Sequence, residues 1–449
     1  MDARYSFRKR QLLEECQVAP EIFEQVIPRL YTFMEPFVKT FQGQAAAQHA
    51  RTYVCGLLSD VKRKNIASIA YRFGQSRLPL QGFLGWDEWD DEPLRHELIV
   101  QVKTHLGQDD GVLVFDPSGF AKSGRESVGV ARQWCGRLGK VDNCQVAIYL
   151  GYVSSKGHTL VDTRLYLPKE WTKDKARLDK AGVPQAVRGY RTRHQLALEM
   201  LANNGAGLPH RWIAGDDEMG RPYWFRRRLA ALGERYLLAV PSNTAMRDLE
   251  VEPPASSSRG RRPTRPWQNV AAWSQSLGEE AWRRIDVRDG AKGPLVVEAV
   301  KRRVVSRTHR RQQGDEELLV VIRYRDRDNQ QVIKVDYYLS NAGPETPLWE
   351  CARVAKAEHR IEECLQRSKS EAGLADYEVR HWTGWQHHQT LSLLATWFLV
   401  WETERGKKMD PCNHLTADSS GHRHDLARGV SVWDEVAYAE GVPEALATQ

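Results

Sequence analysis

Three acidic residues of this chain stand where carboxylates can carry out metal-dependent chemistry. Asp116 directly follows the apolar run Val112–Phe115, and Asp216 directly follows the run Trp212–Gly215. Glu362 lies much later, within a segment whose pattern is helical. A carboxylate at the end of an apolar strand is costly unless a partner or a metal ion compensates its charge. Two divalent cations held by three such carboxylates would activate an attacking oxygen and stabilise a leaving oxygen at a phosphodiester.

The elements that must position these acids follow from the apolar pattern. Val112 to Asp116 is predicted as a strand, and the turn Pro117–Gly119 is expected to end it and to expose the carboxylate. The order of elements predicts an α/β fold with a mixed sheet, an antiparallel meander and flanking helices. The later elements are strands at 145–153 and 159–167, a helix at 194–203, the strand that leads to Asp216, a helix at 223–232 and a strand at 235–240.

The segment around Glu362 adds a candidate phosphate contact. Glu362 and Lys369 are seven residues apart, which is two helical turns, so both lie on one face of the helix. An acid and a lysine placed in this way would hold a metal ion and a DNA phosphate side by side. Without further support, such a pair is more often an ordinary solvated pair.

Several segments, in this order, resemble those of insertion-sequence DDE transposases. VFDPSGFAKSG resembles the segment of the first catalytic aspartate, which is Asp116 in this chain. GDDEMG resembles the second segment, in which an aspartate precedes a glycine by four residues, so that Gly220 selects Asp216. RIEECLQRSKSEAG resembles the C-terminal signature, whose glutamate and lysine match Glu362 and Lys369.

The same signature has a tyrosine and an arginine before the glutamate, and this chain departs from both. Those positions hold Ala355 and Glu358. Arg353, Lys356 and Arg360 are the nearby basic residues that could replace the missing DNA contact. The departure leaves open a transposase-derived DNA-binding protein without catalysis, although all three carboxylates are present.

The resemblance covers about residues 60 to 400 and implies a fold and an activity. The fold would be an RNase H-like core with a β-rich insertion before the third carboxylate. The activity would be cleavage at transposon ends and transfer of the freed 3′-hydroxyl into target DNA, with two Mg²⁺ ions for which Mn²⁺ can substitute. Asp116, Asp216 and Glu362 would bind the metal ions and catalyse, within a homodimer on double-stranded DNA. Another RNase H-like nuclease is the alternative enzyme.

Basic residues are unevenly distributed in this chain, whose net charge is +7. Arginine clusters favour phosphate contacts, because the guanidinium fork pairs with phosphate oxygens. A solvated basic surface is the alternative. The candidate DNA-binding residues are Lys369, Arg360, Arg259, Arg261, Arg262, Arg265, Arg302 and Arg303.

Composition and pattern divide the chain into five predicted parts. The first part is helical, and Pro28 and Pro36 are expected to break or kink the helix in which they lie. The basic run Lys62–Lys64 precedes a short helix, which suggests a DNA-binding module, and a plain helical bundle is the alternative. The parts are 1–105 (helical, DNA-binding), 106–248 (first part of the catalytic core), 249–345 (β-rich insertion with a basic linker), 346–404 (core helices that carry Glu362) and 405–449 (polar tail).

The seven cysteines show no paired spacing, which favours buried thiols in a reducing compartment over a disulfide framework. Cys412, His414, His422 and His424 form a weak candidate zinc set in the tail. The N-terminal segment lacks the apolar region of a signal peptide. The run Leu391–Trp401 is too short to span a bilayer and is predicted to be a buried helix. We expect a cytoplasmic protein without a membrane partner, associated with the nucleoid when it is bound to DNA.

Overall fold

The computed structural model describes residues 25–253, 264–288, 295–310, 312–326 and 329–409. Over these residues, helices surround one mixed β-sheet. The helices are α1 (Val26–Val38), α2 (Gln44–Leu58), α3 (Ile66–Arg72), α4 (Arg77–Gly85), α5 (Glu92–Leu106), α6 (Lys169–Lys173), α7 (Lys175–Lys180), α8 (Arg193–Asn204), α9 (Asp217–Gly220), α10 (Tyr223–Ala231), α11 (Val270–Gln275), α12 (Leu348–Glu371) and α13 (Trp382–Met409). The strands are β1 (Val112–Ala121), β2 (Ala131–Cys135), β3 (Lys140–Val153), β4 (His158–Leu165), β5 (Trp212–Gly215), β6 (Tyr236–Ala239), β7 (Ala245–Asp248), β8 (Gln268–Asn269), β9 (Arg283–Arg288), β10 (Leu295–Arg307), β11 (Gln313–Arg325) and β12 (Val332–Ser340).

The sheet combines an antiparallel meander with parallel strands. Its order is β2-β3-β1-β5-β6-β12-β11-β10-β7-β8, with β4 beside β3 and β9 beside β10. β1 is antiparallel to β3 and parallel to β5, and β5 is parallel to β6. Helix α8 precedes β5, and α10 connects β5 to β6. The predicted α/β fold, an RNase H-like mixed sheet with flanking helices, is confirmed.

The sequence predicted that β1 ends at Asp116. In the structure the strand continues to Ala121. β5 pairs with β1 only from Val112 to Phe115, whereas β3 pairs with β1 along its whole length. Beyond Phe115, β1 is therefore an edge on its β5 side. Pro117 has no N–H group, and an edge position tolerates this because it needs hydrogen bonds on one side only. The prediction of a turn directly after Asp116 was wrong, because the effect of Pro117 depends on where the neighbouring strand ends.

The rest of the core follows the predicted elements, except that the sequence did not predict the short helices α6, α7 and α9, the strand β2 or the start of β3. Strands β4 and β6 and helices α8 and α10 lie within two residues of their predicted bounds. The sequence did not predict β2, nor that β3 begins as early as Lys140. β2 pairs with this early part of β3 and forms a hairpin with it.

Helix α1 runs through Pro36 without a break, so of the predicted break or kink the break does not occur. The apolar residues on both sides of the proline are buried, among them Met34 and Phe37. Their packing outweighs the backbone hydrogen bond that the proline removes. Helix α3 ends before Gly74, whose φ of 61° is the left-handed conformation expected of a helix cap.

Helices α1–α5 share one hydrophobic core with the sheet and with α13. The Tyr53 hydroxyl lies 2.9 Å from His388 Nδ1, and the Trp89 ring stacks on His387 with centroids 3.6 Å apart. α13 contains the run that the sequence predicted as a buried helix, and Leu391–Phe398 is buried. Whether residues 1–105 also bind DNA stays a prediction.

Strands β10, β11 and β12 lie within residues 249–345, which the sequence predicted to be a β-rich insertion. β12 pairs with β6, with Leu339 opposite Leu238, so the insertion extends the core sheet. A second hydrophobic cluster, which includes Trp273 of α11, packs against this extension. The proposed domain boundaries stay a prediction. Residues 254–263 of the basic linker and 410–449 of the tail, with its candidate zinc set, lie outside the described residues.

A buried ion pair joins the core to the extended part of the sheet. The Arg226 guanidinium on α10 donates to the Glu317 carboxylate on β11, with Nε 2.7 Å from Oε1. Both side chains are almost fully buried. The Ser306 hydroxyl accepts a hydrogen bond from Arg226 at 2.8 Å, and the Tyr236 hydroxyl donates to Glu317 at 2.8 Å. The partners compensate the desolvation of both charges, so removal of one partner leaves the other unpaired.

We predict that Arg226→Ala lowers the free energy of unfolding by about 3–5 kcal/mol, because Glu317 then remains charged and buried without its partner. Arg228→Ala, in the same helix but exposed, is the control and is expected to change stability by less than about 0.5 kcal/mol. Urea unfolding at pH 7 measures both. Equal effects of the two substitutions would contradict the role of the buried pair.

Candidate active site

The pairing of β1 with β5 brings the two predicted aspartates together. The strands run parallel, with Phe115 opposite Gly215. Asp116 and Asp216 each follow these partners by one residue, so they lie side by side at the point where β5 ends. The carboxyl ends of parallel strands lie at the same edge of a sheet. The two aspartates, which are 100 residues apart in the sequence, therefore lie in one site.

Asp216 is fixed by the short helix that it begins. Its side chain accepts a hydrogen bond from the Met219 backbone N–H at 2.9 Å, as an N-cap. Four residues later, Gly220 lies against the Ala239 carbonyl of β6, where a side chain would clash. The spacing of aspartate and glycine therefore has a structural reason. Asp217 is exposed and pairs with Arg221 at 3.1 Å, so it belongs to the surface.

Helix α12 brings the remaining charged residues to the same part of β1. Gly151 of β3 allows a close approach, because a Cβ there would collide with Ile361 of α12. Lys369 Nζ donates a hydrogen bond to Ser118 Oγ at 2.6 Å. Ser118 is two residues after Asp116 on β1, and the side chains of both point to the same side of the strand. The predicted lysine thus lies beside the first predicted aspartate.

Burial is the main cause of the pKa shifts of both aspartates. Burial raises the pKa of Asp116 well above its ordinary value, and the negative charges of Asp216 and Glu362 raise it further. The Lys369 ammonium opposes this shift in the pKa of Asp116. Burial raises the pKa of Asp216 to about 7, although the hydrogen bond from the Met219 N–H opposes the shift. Metal-free, the pair therefore holds protons that ordinary aspartates release.

Glu362 lies at the outer side of this cluster. Its side chain is 75% exposed, and its carboxylate lies 3.5 Å from His359 Nδ1. The hydrogen bond with His359 lowers the pKa of Glu362. It also raises the pKa of His359 to about 9. Glu362 is near enough to raise the pKa of Asp116 but remains largely in solvent.

Glu358 is the acid that sequence reasoning missed. It occupies the position at which the resembling signature has an arginine, one helical turn before Glu362. Burial raises the pKa of Glu358 well above its ordinary value, and the charges of Asp216 and Asp116 raise it further. Its side chain is partly buried and shares one face of α12 with Glu362 and Lys369. Its four-residue spacing from Glu362 on one helix face was the signal that could have found it.

Comparison of the sequence with known proteins identifies the family of this chain. Residues 36–294, more than half of the chain, match the family described as DDE superfamily endonuclease. The chain belongs to this family. The matched region contains Asp116 and Asp216 and ends before α12. The chain is also 32% identical over 196 residues to the protein named "Probable transposase for insertion sequence element IS701" of Microchaete diplosiphon. That match covers 42% of this chain and 47% of the relative, so the similarity spans about half the length of that protein.

DDE endonucleases generally use divalent metal ions, and the donors of this DDE endonuclease suit them. Mg²⁺ and Mn²⁺ prefer hard oxygen ligands such as carboxylates. The acids that could hold such an ion are Asp116, Asp216, Glu358 and Glu362. Within the described ranges, however, no three His, Cys, Asp or Glu side chains are already arranged to hold a metal ion. Like charges repel one another, so carboxylates that are not bridged by a cation lie apart or take up protons.

Two arginines that the sequence assigned to DNA make contacts within the protein. Arg302 pairs with Glu250 at 2.7 Å, and Arg303 pairs with Glu316 at 2.6 Å. Ion pairing of this kind neutralises part of the charge that a phosphate would meet. The DNA-binding role of Arg302 and Arg303 stays a prediction.

The other predicted DNA contacts of this DDE endonuclease differ in their surroundings. Arg265 Nε donates to the Val251 carbonyl at 2.6 Å, and Arg360 Nη1 lies 3.8 Å from the Glu363 carboxylate. Arg259, Arg261 and Arg262 lie outside the described residues. Among the residues described, no helix is long and apolar enough to cross a membrane.

A basic segment that the sequence analysis did not single out lies between β4 and α8. From Lys169 to Arg193 it contains eight basic and three acidic residues. Arg193 pairs with Glu218, two residues after Asp216, at 2.7 Å, so the end of the segment is fixed beside the acids. Lys173 and Lys175 are exposed on it. An exposed basic surface next to the site suits a polyanionic ligand.

The raised pKa of Asp216 predicts how stability depends on pH. An acid whose pKa is higher in the folded than in the unfolded protein stabilises the fold at low pH, and this contribution is lost as pH rises from about 4 to 7. In the presence of a chelator we therefore expect Asp216→Asn, which keeps the helix cap, to be more stable than the wild type by about 2–4 kcal/mol at pH 8.

The same comparison at pH 4 should show little difference, because Asp216 is then protonated in both folded and unfolded chains. Urea unfolding at the two pH values measures it, with Asp217→Asn as the exposed control. A difference between wild type and Asp216→Asn that does not change with pH would contradict the shifted pKa.

Proposed function

We propose that the protein is the transposase of an insertion sequence, which cleaves DNA at transposon ends and joins the freed 3′-hydroxyl to target DNA. The observation that supports the proposal is that Asp116 and Asp216 directly follow paired residues of two adjacent parallel strands, with Lys369 of α12 bonded to Ser118 of β1. The similarity to a protein named a transposase supports the same conclusion. Cytoplasmic action on chromosomal DNA follows from this activity.

The acids have complementary roles in this proposal. Asp116, Asp216 and Glu362 would hold two divalent cations, Mg²⁺ or its substitute Mn²⁺, which would supply activation of the attacking oxygen and stabilisation of the leaving oxygen. Asp216 is oriented by its N-cap hydrogen bond, and Asp116 by the continuous strand β1. Glu362 is exposed, so it faces the side from which DNA approaches.

Lys369 has a different role, because it binds the DNA phosphate and does not hold a metal ion. Its ammonium group lies next to Ser118 and the Phe120 ring, at 5.3 Å from the ring centroid. From there it places a positive charge beside Asp116, where the phosphate to be cleaved must lie. Lys369 therefore positions the phosphate by a charge-assisted hydrogen bond.

A homodimer on DNA completes the proposal, since two transposon ends must be cut and joined in a coordinated way. A nuclease of the same fold, which cleaves but does not join, is the alternative that the family name allows. The two differ in one product, the joined strand, so an assay that resolves cleavage from strand transfer separates them.

We predict that Asp116→Asn, Asp216→Asn and Glu362→Gln each reduce cleavage and strand transfer by at least about a thousandfold, because charge stabilisation by the metal ions is worth several kcal/mol. Each keeps the shape of the side chain, so DNA binding should be retained. Gel assays on labelled transposon ends with Mg²⁺ or Mn²⁺ measure all three steps.

Asp217→Asn is the matched control for Asp216→Asn and should remain active. Lys369→Ala should lose about ten- to a hundredfold in rate, since it removes one charged hydrogen bond and leaves the acids in place. If Asp217→Asn is inactive and Asp216→Asn is active, the second carboxylate is misassigned. Full activity of all three isosteric variants would exclude the metal mechanism.

DNA affinity tests the basic surface beside the site. We predict that the double substitution Lys173→Ala and Lys175→Ala weakens binding to unrelated DNA sequences equally. It should reduce the slope of log K against log salt by about 1.8, since each phosphate contact contributes about 0.9. Fluorescence anisotropy over a range of salt concentrations measures this slope.

The double substitution Arg302→Ala and Arg303→Ala is the comparison. Because both arginines are paired with glutamates, a smaller change in slope is expected from it. The opposite result is an unchanged slope in the lysine variant and a slope reduced by about 1.8 in the arginine variant. It would support Arg302 and Arg303 as the DNA contacts, as the sequence predicted.

A further inference from the structure

The hairpin formed by β2 and β3 carries large apolar side chains in solvent. Trp134 of β2 is 53% exposed, and Val141, which lies directly opposite it on β3, is 51% exposed. Leu138 in the turn between the strands is 40% exposed. β2 is the edge strand of the sheet, where exposed apolar side chains promote unwanted association. An apolar surface kept at such a position is typical of a binding site.

Strand register places these side chains on the face of the sheet that carries Asp116. Asp116 of β1 lies opposite Tyr149 of β3, and Val141 precedes Tyr149 by eight residues on the same strand. Side chains alternate along a strand, and directly opposite residues share a face. Asp116, Val141 and Trp134 therefore lie on one face. Arg132, two residues before Trp134, is exposed on that face as well. We call Arg132, Trp134, Leu138 and Val141 the hairpin surface.

The other face of the hairpin packs against β1. A Cβ atom at Gly119 would lie only 3.0 Å from Cys135 Sγ, so the glycine allows this close approach. Gly119 is three residues after Asp116, which corresponds to about 10 Å along a strand. Gln133 Nε2 donates a hydrogen bond to the Cys144 carbonyl at 2.9 Å and ties β2 to β3. The hairpin surface is thus held near the acids by packing and hydrogen bonds.

The charge around the hairpin surface indicates what binds there. Residues 122–140 include five basic residues and one acidic residue. The acidic one, Glu126, is paired with Lys180 at 2.5 Å. Arg177 of α7 donates to the Arg125 carbonyl at 2.8 Å, which joins this part of the chain to the basic segment between β4 and α8. A polyanion is attracted to such a surface, whereas a second copy of the chain would bring the same positive charge.

An exposed aromatic ring among basic residues suits one form of polyanion in particular. The bases of a DNA duplex are stacked on one another, but each base of an unpaired strand offers a free face. Aromatic side chains bind such faces by stacking, and nearby basic residues bind the phosphates. Trp134 supplies the ring, and Val141 lies beside it as the cross-strand neighbour.

We propose that the hairpin surface binds an unpaired DNA strand beside the phosphate to be cleaved. Trp134 stacks on a base of this strand, and Arg132 contacts one of its phosphates. This inference rests on the proposed function, which brings DNA to the face of the sheet that carries Asp116. It assigns to the hairpin a preference for single-stranded over double-stranded DNA that the basic segment alone does not provide.

Binding of a single strand of twenty thymidines, without metal, tests the role of Trp134. Trp134→Ala should raise the Kd for this strand at least about tenfold, because a base loses its stacking partner. The Kd for a duplex of twenty base pairs should change by less than about twofold. Trp134→Phe keeps a ring and should restore most of the affinity. Trp349→Ala removes a tryptophan of α12 that is equally exposed, at 57%, and should bind as the wild type does.

The salt dependence of the same measurement separates stacking from charge. Arg132→Ala should reduce the slope of log K against log salt by about 0.7, the contribution of one phosphate contact in a single strand. Trp134→Ala removes no charge and should leave the slope unchanged. Fluorescence anisotropy measures both affinity and slope, and thermal unfolding confirms that each variant is folded. If Trp134→Ala does not fold, Trp134→Leu replaces it, since it keeps apolar bulk but has no ring.

Unchanged single-strand affinity of the folded variant without the ring would overturn the proposal. Equal losses on single strand and duplex would also overturn it, since the ring would then contribute to general DNA binding. Sedimentation tests another occupant. If Trp134→Ala separates a dimer into monomers and leaves the single-strand affinity unchanged, the hairpin surface joins two copies of the chain and the proposal is wrong.

Cleavage assays separate this inference from the proposed function. If Trp134→Ala binds the single strand as the wild type does, while Asp116→Asn loses cleavage, the inference is wrong and the function stands. If the single strand binds through Trp134 but the wild type neither cleaves nor joins transposon ends, the hairpin surface stands and the proposed transposase is wrong.

Discussion

The confinement of several negative charges at the end of one strand pair governs this structure. The parallel register of β1 and β5 forces Asp116 and Asp216 into neighbouring positions. Burial raises the pKa of both carboxyl groups, and the charge of Asp216 raises the pKa of Asp116 further. Other parts of the site stabilise these negative charges. The Met219 N–H of α9 donates a hydrogen bond to Asp216, and α12 brings Lys369 to the side of Asp116.

The same edge that exposes the charges also gives access to them. β5 ends where the acids begin, so β1 continues with one partner strand and leaves its other side open. Pro117 suits this open side, because it offers no unpaired N–H to a foreign strand. Close packing is reserved for the other elements, where Gly151 and Gly220 allow helix and strand to approach.

Local signals in the sequence predicted β4, β6 and helices α8 and α10 closely, and they singled out Asp116 and Asp216, because an acid after an apolar run is visible without knowledge of the partner strand. The course of β1 past Pro117 could not be predicted, since it depends on where β5 stops. The partly buried position of Glu358 was missed for a similar reason: the helix pattern shows which residues share a face, but not how deeply each of them is buried. The ion pairs of Arg302 and Arg303 join residues from separate strands, so charge clustering alone suggested free surface.

The contacts between α1–α5 and α13 have a consequence for the time course of folding. Arg29 of α1 pairs with Glu402 of α13 at 2.8 Å, across a separation of 373 residues. A ribosome takes on the order of tens of seconds to add that length of chain. During this interval the apolar faces of the early helices have no native partner, and contacts so distant in sequence form late. The newly made chain is therefore most exposed to aggregation and proteolysis before α13 has been synthesised.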